Sequence, residues 1–332
     1  MLQENKVAFD YNNYLTIEAL EDDCYVIFTN DIEYGIDGMG WKRLPSNAKS
    51  PTIKSGQTIS FRGELKPTDD IGIGRFTISK KCNLKGNIMS MLFGDNAANN
   101  YSLRGKNYAF YNLFYNCSTI INTNNLSLPA TVLERKCYSY MFYDCTSLTT
   151  APALPATILA DSCYNNMFQN CTSLTTAPAL PATTLATSCY QSMFQNCTSL
   201  TTAPALPATI LATFCYRGMF QGCTSLTTAP ELPATTLADD CYVYMFSNCT
   251  NLTTASELPA TTLAFYCYFN MFNGCTKLRY IKMLATNISA YNCLYNWVRG
   301  VSSTGTFIKN AAMTSLPTGS SGIPSGWTVQ NA

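Results

Sequence analysis

The chain has 332 residues, room for two domains, and its 47% hydrophobic content is ample for a core. Only 12% of residues are charged and the net charge is +1, so solubility rests on Thr, Asn, Ser and Tyr, and a nucleic-acid role lacks the basic helix or aromatic-interleaved stripe it needs. Histidine is absent, which removes the usual proton shuttle and the partner of a Ser or Cys nucleophile.

The opening stretch, MLQENKVAFD, lacks the basic start, apolar run and small-residue cleavage site of a secretory signal, and no run of about 20 apolar residues offers a membrane span. If Met1 is the native start, the chain leaves its cell by a route other than ordinary secretion. That favours a virion component released by lysis over an exported adhesin.

Residues 1–93 hold short alternating runs (LTIEAL from Leu15, YVIF from Tyr25, TISF from Thr58, FTI from Phe76) broken by Asp-Gly, Pro-Ser-Asn and Lys-Ser-Gly. The pattern predicts an all-β, sandwich-like leader domain. Within it, Tyr34 and Trp41 read either as core aromatics or as a sugar-stacking platform. Residues 94–116, with Tyr108-Ala109-Phe110 and Leu113-Phe114, read as an N-terminal capping half-repeat.

From there one phrase recurs. Cys145, Cys171, Cys197, Cys223, Cys249 and Cys275 are spaced by a strict 26 residues, each opening a version of CTSLTTAPALPATTLA followed by CY and MF. A period of that size means a solenoid whose units bury their faces only against neighbours. Cys117 to Asp144 is a longer first coil and Cys275 to Gly300 a degenerate last one, so 117–300 makes about seven coils. Residues 301–332, with Phe307, Ile308, Ile323, Trp327 and Val329, read as the C-terminal cap.

Each coil has two sides. Counting from its first Cys, Leu159, Cys163 and Met167 fall at offsets 14, 18 and 22, and Ala160, Tyr164 and Phe168 at 15, 19 and 23. That spacing predicts the buried stripe of a short helix. Offsets 16, 17, 20 and 21 then face water, and they are where the copies differ. The Thr-Thr-Ala-Pro-Ala-Leu-Pro half excludes a helix and predicts a short extended segment stacking into a parallel sheet. The fold class expected is a mixed α/β solenoid of 26-residue coils, parallel sheet plus short helices, behind the β leader.

The sixteen cysteines allow three readings: intracoil disulfides between partners eight apart, zinc ligands, or small buried hydrophobes. Zinc favours close Cys pairs in fours and the chain has no His to help, whereas both cysteine offsets lie on inward faces. The preferred reading is two stacked thiol ladders, comprising Cys145, Cys163, Cys171, Cys189, Cys197, Cys215, Cys223, Cys241, Cys249, Cys267, Cys275 and Cys293. Disulfides remain open, because bridging needs Cα atoms within about 7 Å, which spacing does not show.

The string F-x-x-C-T-x-L-T-x-x-x-x-L-P, seen from Phe168 to Pro181 and again from Phe194 to Pro207, resembles the BspA-like leucine-rich repeats of surface proteins from Bacteroides-type gut bacteria. The leader-plus-repeat layout also resembles proteins of their phages. The resemblance implies adhesion or recognition at a surface and places Cys171 and its equivalents at the ladder position held by Asn or Cys in the family. The 26-residue unit and the second cysteine per coil depart from the family's commoner, shorter repeat.

An enzyme is not expected. Asp22/Asp23, Asp69/Asp70 and Asp239/Asp240 are candidates for a glycosidase-type carboxylate pair, yet adjacent residues on a turn usually point apart and only Asp239/Asp240 lie in the array; no phosphate loop or metal motif appears, and no cofactor is expected. Five basic and no acidic residues follow Thr276 (Lys277, Arg279, Lys282, Arg299, Lys309); this end is either a solvated cap or a dock for an anionic partner. The candidate binding surface is the set of aromatics that drift onto the water-facing offsets, Phe214, Tyr244, Phe265, Tyr266 and Phe269, with Arg217. The function expected is non-catalytic recognition by a phage tail or fibre component; an exported adhesin and a structural spacer are the alternatives. Expected partners are proteins or glycans of a cell surface, or virion subunits, with no nucleic acid and no membrane span, and the location a virion or a cell exterior.

Overall fold

A computed structural model describes residues 13–332; the N-terminal stretch read above for an export signal lies outside the described residues. Strands β1 (Leu15–Ala19), β2 (Val26–Phe28), β3 (Ile32–Ile36), β4 (Lys42–Leu44), β5 (Thr58–Arg62), β6 (Phe76–Ile78) and β7 (Cys82–Asn87) follow the alternating runs, with the buried-and-open alternation cleanest in β2, β6 and β7 and both faces covered in the middle of β1 and β5. They build two layers. One is a sheet in the order β4-β3-β5-β1-β7-β8, in which β8 is Ile120–Ser127, the other the pair β2-β6. Phe76 from the small layer meets Phe28 at 4.5 Å and Phe61 of the large layer at 5.0 Å between ring centroids. The sandwich expectation therefore holds in reduced form, with one face only two strands wide.

The sixth strand, β8 (Ile120–Ser127), belongs to the first coil and pairs in parallel with β7. Phe76 also stacks on Phe114 at 5.4 Å, and the column continues through Phe142, Phe168, Phe194, Phe220, Phe246 and Phe272. Beside it runs a second column from Phe110 through Tyr138, Tyr164, Tyr190, Tyr216, Tyr242 and Tyr268. Both end on Trp297, at 6.2 Å from Tyr268 and 6.1 Å from Phe272. Leader, solenoid and cap thus share one continuous core.

The expected helices are not there. Among the described residues the helical segments are Ser90–Phe93 and the 3-10 turn Gly94–Asn99, both ahead of the array. The segment from Ala160 to Cys171 is instead a run of linked turns. The amides of Cys163, Asn165, Met167, Gln169 and Cys171 bond back three residues, while those of Ser162, Tyr164, Asn166, Phe168 and Asn170 bond to carbonyls of the next coil. A left-handed residue recurs every fourth position, at Ser162 (φ 55), Asn166 (φ 56) and Asn170 (φ 62). A helix would spend every amide within its own segment; here half of them tie coil to coil. The sequence signature was the Asn or Gly before each first Cys (Asn170, Asn196, Gly222, Asn248, Gly274), since those residues tolerate positive φ.

The continuous parallel sheet is also corrected. Pairing in the middle coils is confined to isolated bridges such as Thr150 with Thr176, Thr176 with Thr202 and Ile158 with Thr184. Two prolines per coil, Pro152 and Pro155 and their equivalents, have no N–H to give a ladder. Where they disappear the sheet forms. β9 (Thr254–Leu258) carries Ser256 where Pro230 stands one coil earlier, and with β10 (Tyr280–Met283), β11 (Thr306–Lys309) and β12 (Thr328–Asn331) it makes a four-stranded parallel sheet. Val329, expected inside the cap, lies on that exposed last strand.

Candidate recognition surface

The turn ladder sets which side chains reach solvent. Offsets 18, 19, 22 and 23 are buried throughout the 26-residue coils, including Tyr164, Tyr190 and Tyr242. Offsets 16 and 17 are exposed or half-buried, but offsets 20 and 21 are not uniformly wet, because Asn165, Asn166, Val243 and Asn270 are buried. Coils tied amide to carbonyl stand close enough that neighbouring copies cover one another. For the same reason Phe214, Arg217, Tyr244, Tyr266 and Phe269 are half-buried, and Phe265, at 43% exposure, is the most open of the candidate residues.

Six aromatics of the last coils form one connected group. Phe265 meets Tyr266 at 4.4 Å, Tyr266 meets Phe269 at 5.0 Å, and Phe269 meets Tyr244 edge-on at 5.6 Å. Tyr291 and Tyr295, which sequence reading passed over, complete it: Tyr291 stacks on Phe265 at 5.8 Å and Tyr295 on Phe269 at 5.1 Å, and both are exposed. They occupy the same offsets as Phe265 and Phe269 one coil later, so carrying the repeat register into the degenerate coil would have found them. Asn292 donates to the Tyr266 hydroxyl at 3.0 Å and orients it. Phe214 is not part of the group; its ring faces the Arg217 guanidinium at 5.4 Å. Burial raises the Asp240 carboxyl above its usual value, against the opposing pull of Arg217.

Phe214 (φ 58), Tyr244 (φ 56) and Tyr266 (φ 51) all sit in left-handed backbone. Ser, Asn, Asp or Gly holds the equivalent positions elsewhere in the array's 26-residue coils. A bulky aromatic there carries strain on the order of 1–2 kcal/mol.

The other features fall into structural roles. Tyr34 is a core residue, while Trp41 packs edge-on to Tyr14 at 4.9 Å and under Arg62 at 4.5 Å, so the two do not present a common platform. Of the C-terminal cations, Lys282 pairs with Glu257 at 2.8 Å, Lys277 donates to Asn251 at 2.6 Å and Lys309 to the Met313 carbonyl at 2.8 Å. Asp239 accepts the Phe265 amide at 3.2 Å, a bond that links coils. All sixteen cysteines are free and buried. Cys145, Cys171, Cys197, Cys223, Cys249 and Cys275 each donate to a Phe carbonyl of the coil before, at 3.0–3.2 Å. Burial pushes the thiols up, to about 12 for Cys137, Cys215, Cys249 and Cys267. Among the described residues no group of three potential ligands is placed to hold a metal ion, and no helix is long and apolar enough to cross a membrane.

Coils that stack at a 26-residue repeat, each burying its Leu, Cys, Tyr, Met and Phe against the copies on either side, define a repeat solenoid of the leucine-rich class. The model of the BspA type leucine rich repeat region matches residues 106–227 and 213–299 in six copies, more than half of the chain, and the chain belongs to that family. The family's repeats point to surface adhesion or protein–protein interaction. Comparison with curated proteins and with solved structures gives no match.

Proposed function

We propose that the chain is a non-catalytic recognition protein, displayed on a phage tail or fibre or on a bacterial surface, whose contact face is the aromatic group of Tyr244, Phe265, Tyr266, Phe269, Tyr291 and Tyr295. One observation carries the reading: two of these aromatics, Tyr244 and Tyr266, are held in left-handed backbone, where a spacer free to drift would keep Asn or Gly. The group is largely apolar, partly solvent-facing and bordered by Asn292, which bonds the Tyr266 hydroxyl, the composition of an interface centre with a polar edge. The spacer alternative makes no use of it.

The test is the triple substitution Phe265→Ser, Tyr266→Ser, Phe269→Ser. Folding is retained, since the stacked columns lie at other offsets, while adsorption to target cells or assembly into the parent particle is lost. Unchanged adsorption and assembly would leave the spacer reading standing.

A further inference from the structure

We propose a second binding site, a pocket for a carboxylated sugar where the leader meets the first coil, about five to six coils away from the aromatic group. A cavity of about 260 Å³ lies between the segment Arg75–Ile78 and the turn Tyr115–Thr119, with room for one sugar ring. Arg75 is the sole charged residue of its lining. Its guanidinium sits 5.9 Å from the Tyr115 ring and makes no ion pair among the described residues.

The walls have the other half of the chemistry. Tyr115 stacks on Tyr143 at 4.8 Å and 2° from parallel, Tyr143 meets Tyr140 at 5.5 Å, and Tyr140 meets Tyr111 at 5.8 Å. A strip of half-buried rings therefore leads from the cavity onto the same turn face that carries the C-terminal aromatics. Asn116 and Ser118 in the lining are exposed, and neither side chain has a hydrogen-bonding partner within the described protein. The neighbouring carboxylates are engaged: Asp144 accepts from Asn170 at 2.6 Å and Glu134 from the Gly105 amide at 3.1 Å. Arg135 and Lys136 lie over Tyr108, at 5.6 and 5.1 Å, and add positive field.

Tyrosine rings offer apolar faces to pyranose C–H groups, free amide and hydroxyl groups suit ring hydroxyls, and a planar guanidinium suits a carboxylate. A neutral sugar would leave Arg75 idle, and a simple anion would leave the rings idle. An acidic saccharide uses both.

The test is calorimetric titration of the full chain with oligomers of galacturonic acid and with the same oligomers methyl-esterified. The acid form is expected to bind and the ester to bind at least about tenfold more weakly, equivalent to about 1.4 kcal/mol. Arg75→Gln, at an exposed position, should remove binding with an unchanged circular dichroism spectrum, and Arg75→Lys should retain part of it. The triple Ser variant of Phe265, Tyr266 and Phe269 should bind the oligomers as the parent does, which separates this site from the aromatic group. Absence of binding at millimolar ligand, equal affinity for acid and ester, or full affinity in Arg75→Gln would each overturn the proposal.

Discussion

The Cys171 thiol donates to the carbonyl of Phe142, 29 residues earlier, at 3.1 Å. Phe142 and Phe168 are themselves stacked at 5.6 Å, so a single cysteine adds a second donor to a carbonyl that already takes the Cys145 amide at 3.1 Å and pins the aromatic column beside it. Truncation, Cys171→Ala, removes a donor and opens a void in a packed interior. The expected cost is about 1–3 kcal/mol, read as a lower denaturation midpoint with an unchanged slope.

Because the thiols are free and buried, alkylation of the native protein without reductant should modify few of them. The same reaction in denaturant, still without reductant, should modify nearly all sixteen. Mass spectrometry counts the adducts. Persistently unmodified pairs eight residues apart would mean intracoil disulfides and would remove the thiol ladder.

Alkaline pH should unfold this protein early. Cys117, Cys137, Cys215, Cys249 and Cys267 are pushed up to about 12 by burial, while an unfolded cysteine ionises near ~8.5. Their contribution is fully present below the unfolded value. Above it the unfolded state sheds protons that the folded state keeps, so stability falls by roughly 1.4 kcal/mol per pH unit for each thiol until the folded value is reached. The buried Tyr column, whose phenols are also raised by burial, adds to the loss at higher pH. Thermal melts between pH 8 and 11 would show a steep drop beginning near ~9; a flat profile would contradict it.

The left-handed positions make opposite predictions for opposite residues. Gly222 (φ 74) sits in left-handed backbone that Ala adopts poorly, and a Cβ there would also push the Asn196 side-chain oxygen, 2.3 Å away, aside, so Gly222→Ala should destabilise by about 1 kcal/mol. Phe214→Asn does the reverse. It relieves left-handed strain at a ring that faces the Arg217 guanidinium and lies outside the connected aromatic group, and a gain of several tenths of a kcal/mol up to about 1 is expected in chemical denaturation.

Restoring a backbone donor should extend the sheet. Pro230 stands between Ala229 and Glu231, which with Thr228, Leu232, Thr254 and Ser256 line a groove of about 450 Å³, one coil before β9 begins. Pro230→Ser copies the residue that β9 carries at that offset, and hydrogen exchange should show slower amides across residues 228–233 and 254–258. Unchanged exchange would mean that something other than the missing N–H interrupts the ladder.

The sequence by itself determined the repeat, its register and what lies inside it. A Cys, Tyr, Met or Phe that returns every 26 residues in an inward position packs against its own copies whatever the backbone does between them. The short alternating runs likewise announced the strands of the leader, because a one-residue shift would turn them inside out. Side-chain periodicity does not say where a backbone amide goes. Offsets 14, 15, 18, 19, 22 and 23 suit the stripe of a helix and equally a chain of turns that repeats every four residues, and the two differ only in whether alternate amides bond within the segment or across to a coil 26 residues away. That choice is tertiary, made by the next coil's carbonyls. It sets how close the coils stand, which leaves Asn165 covered and Tyr291 open, and so decides which of the variable residues meet as a surface. The joining of β7 to β8 and of Phe76 to Phe114 was decided the same way, by strands and rings distant in sequence that could be matched only once both were in place.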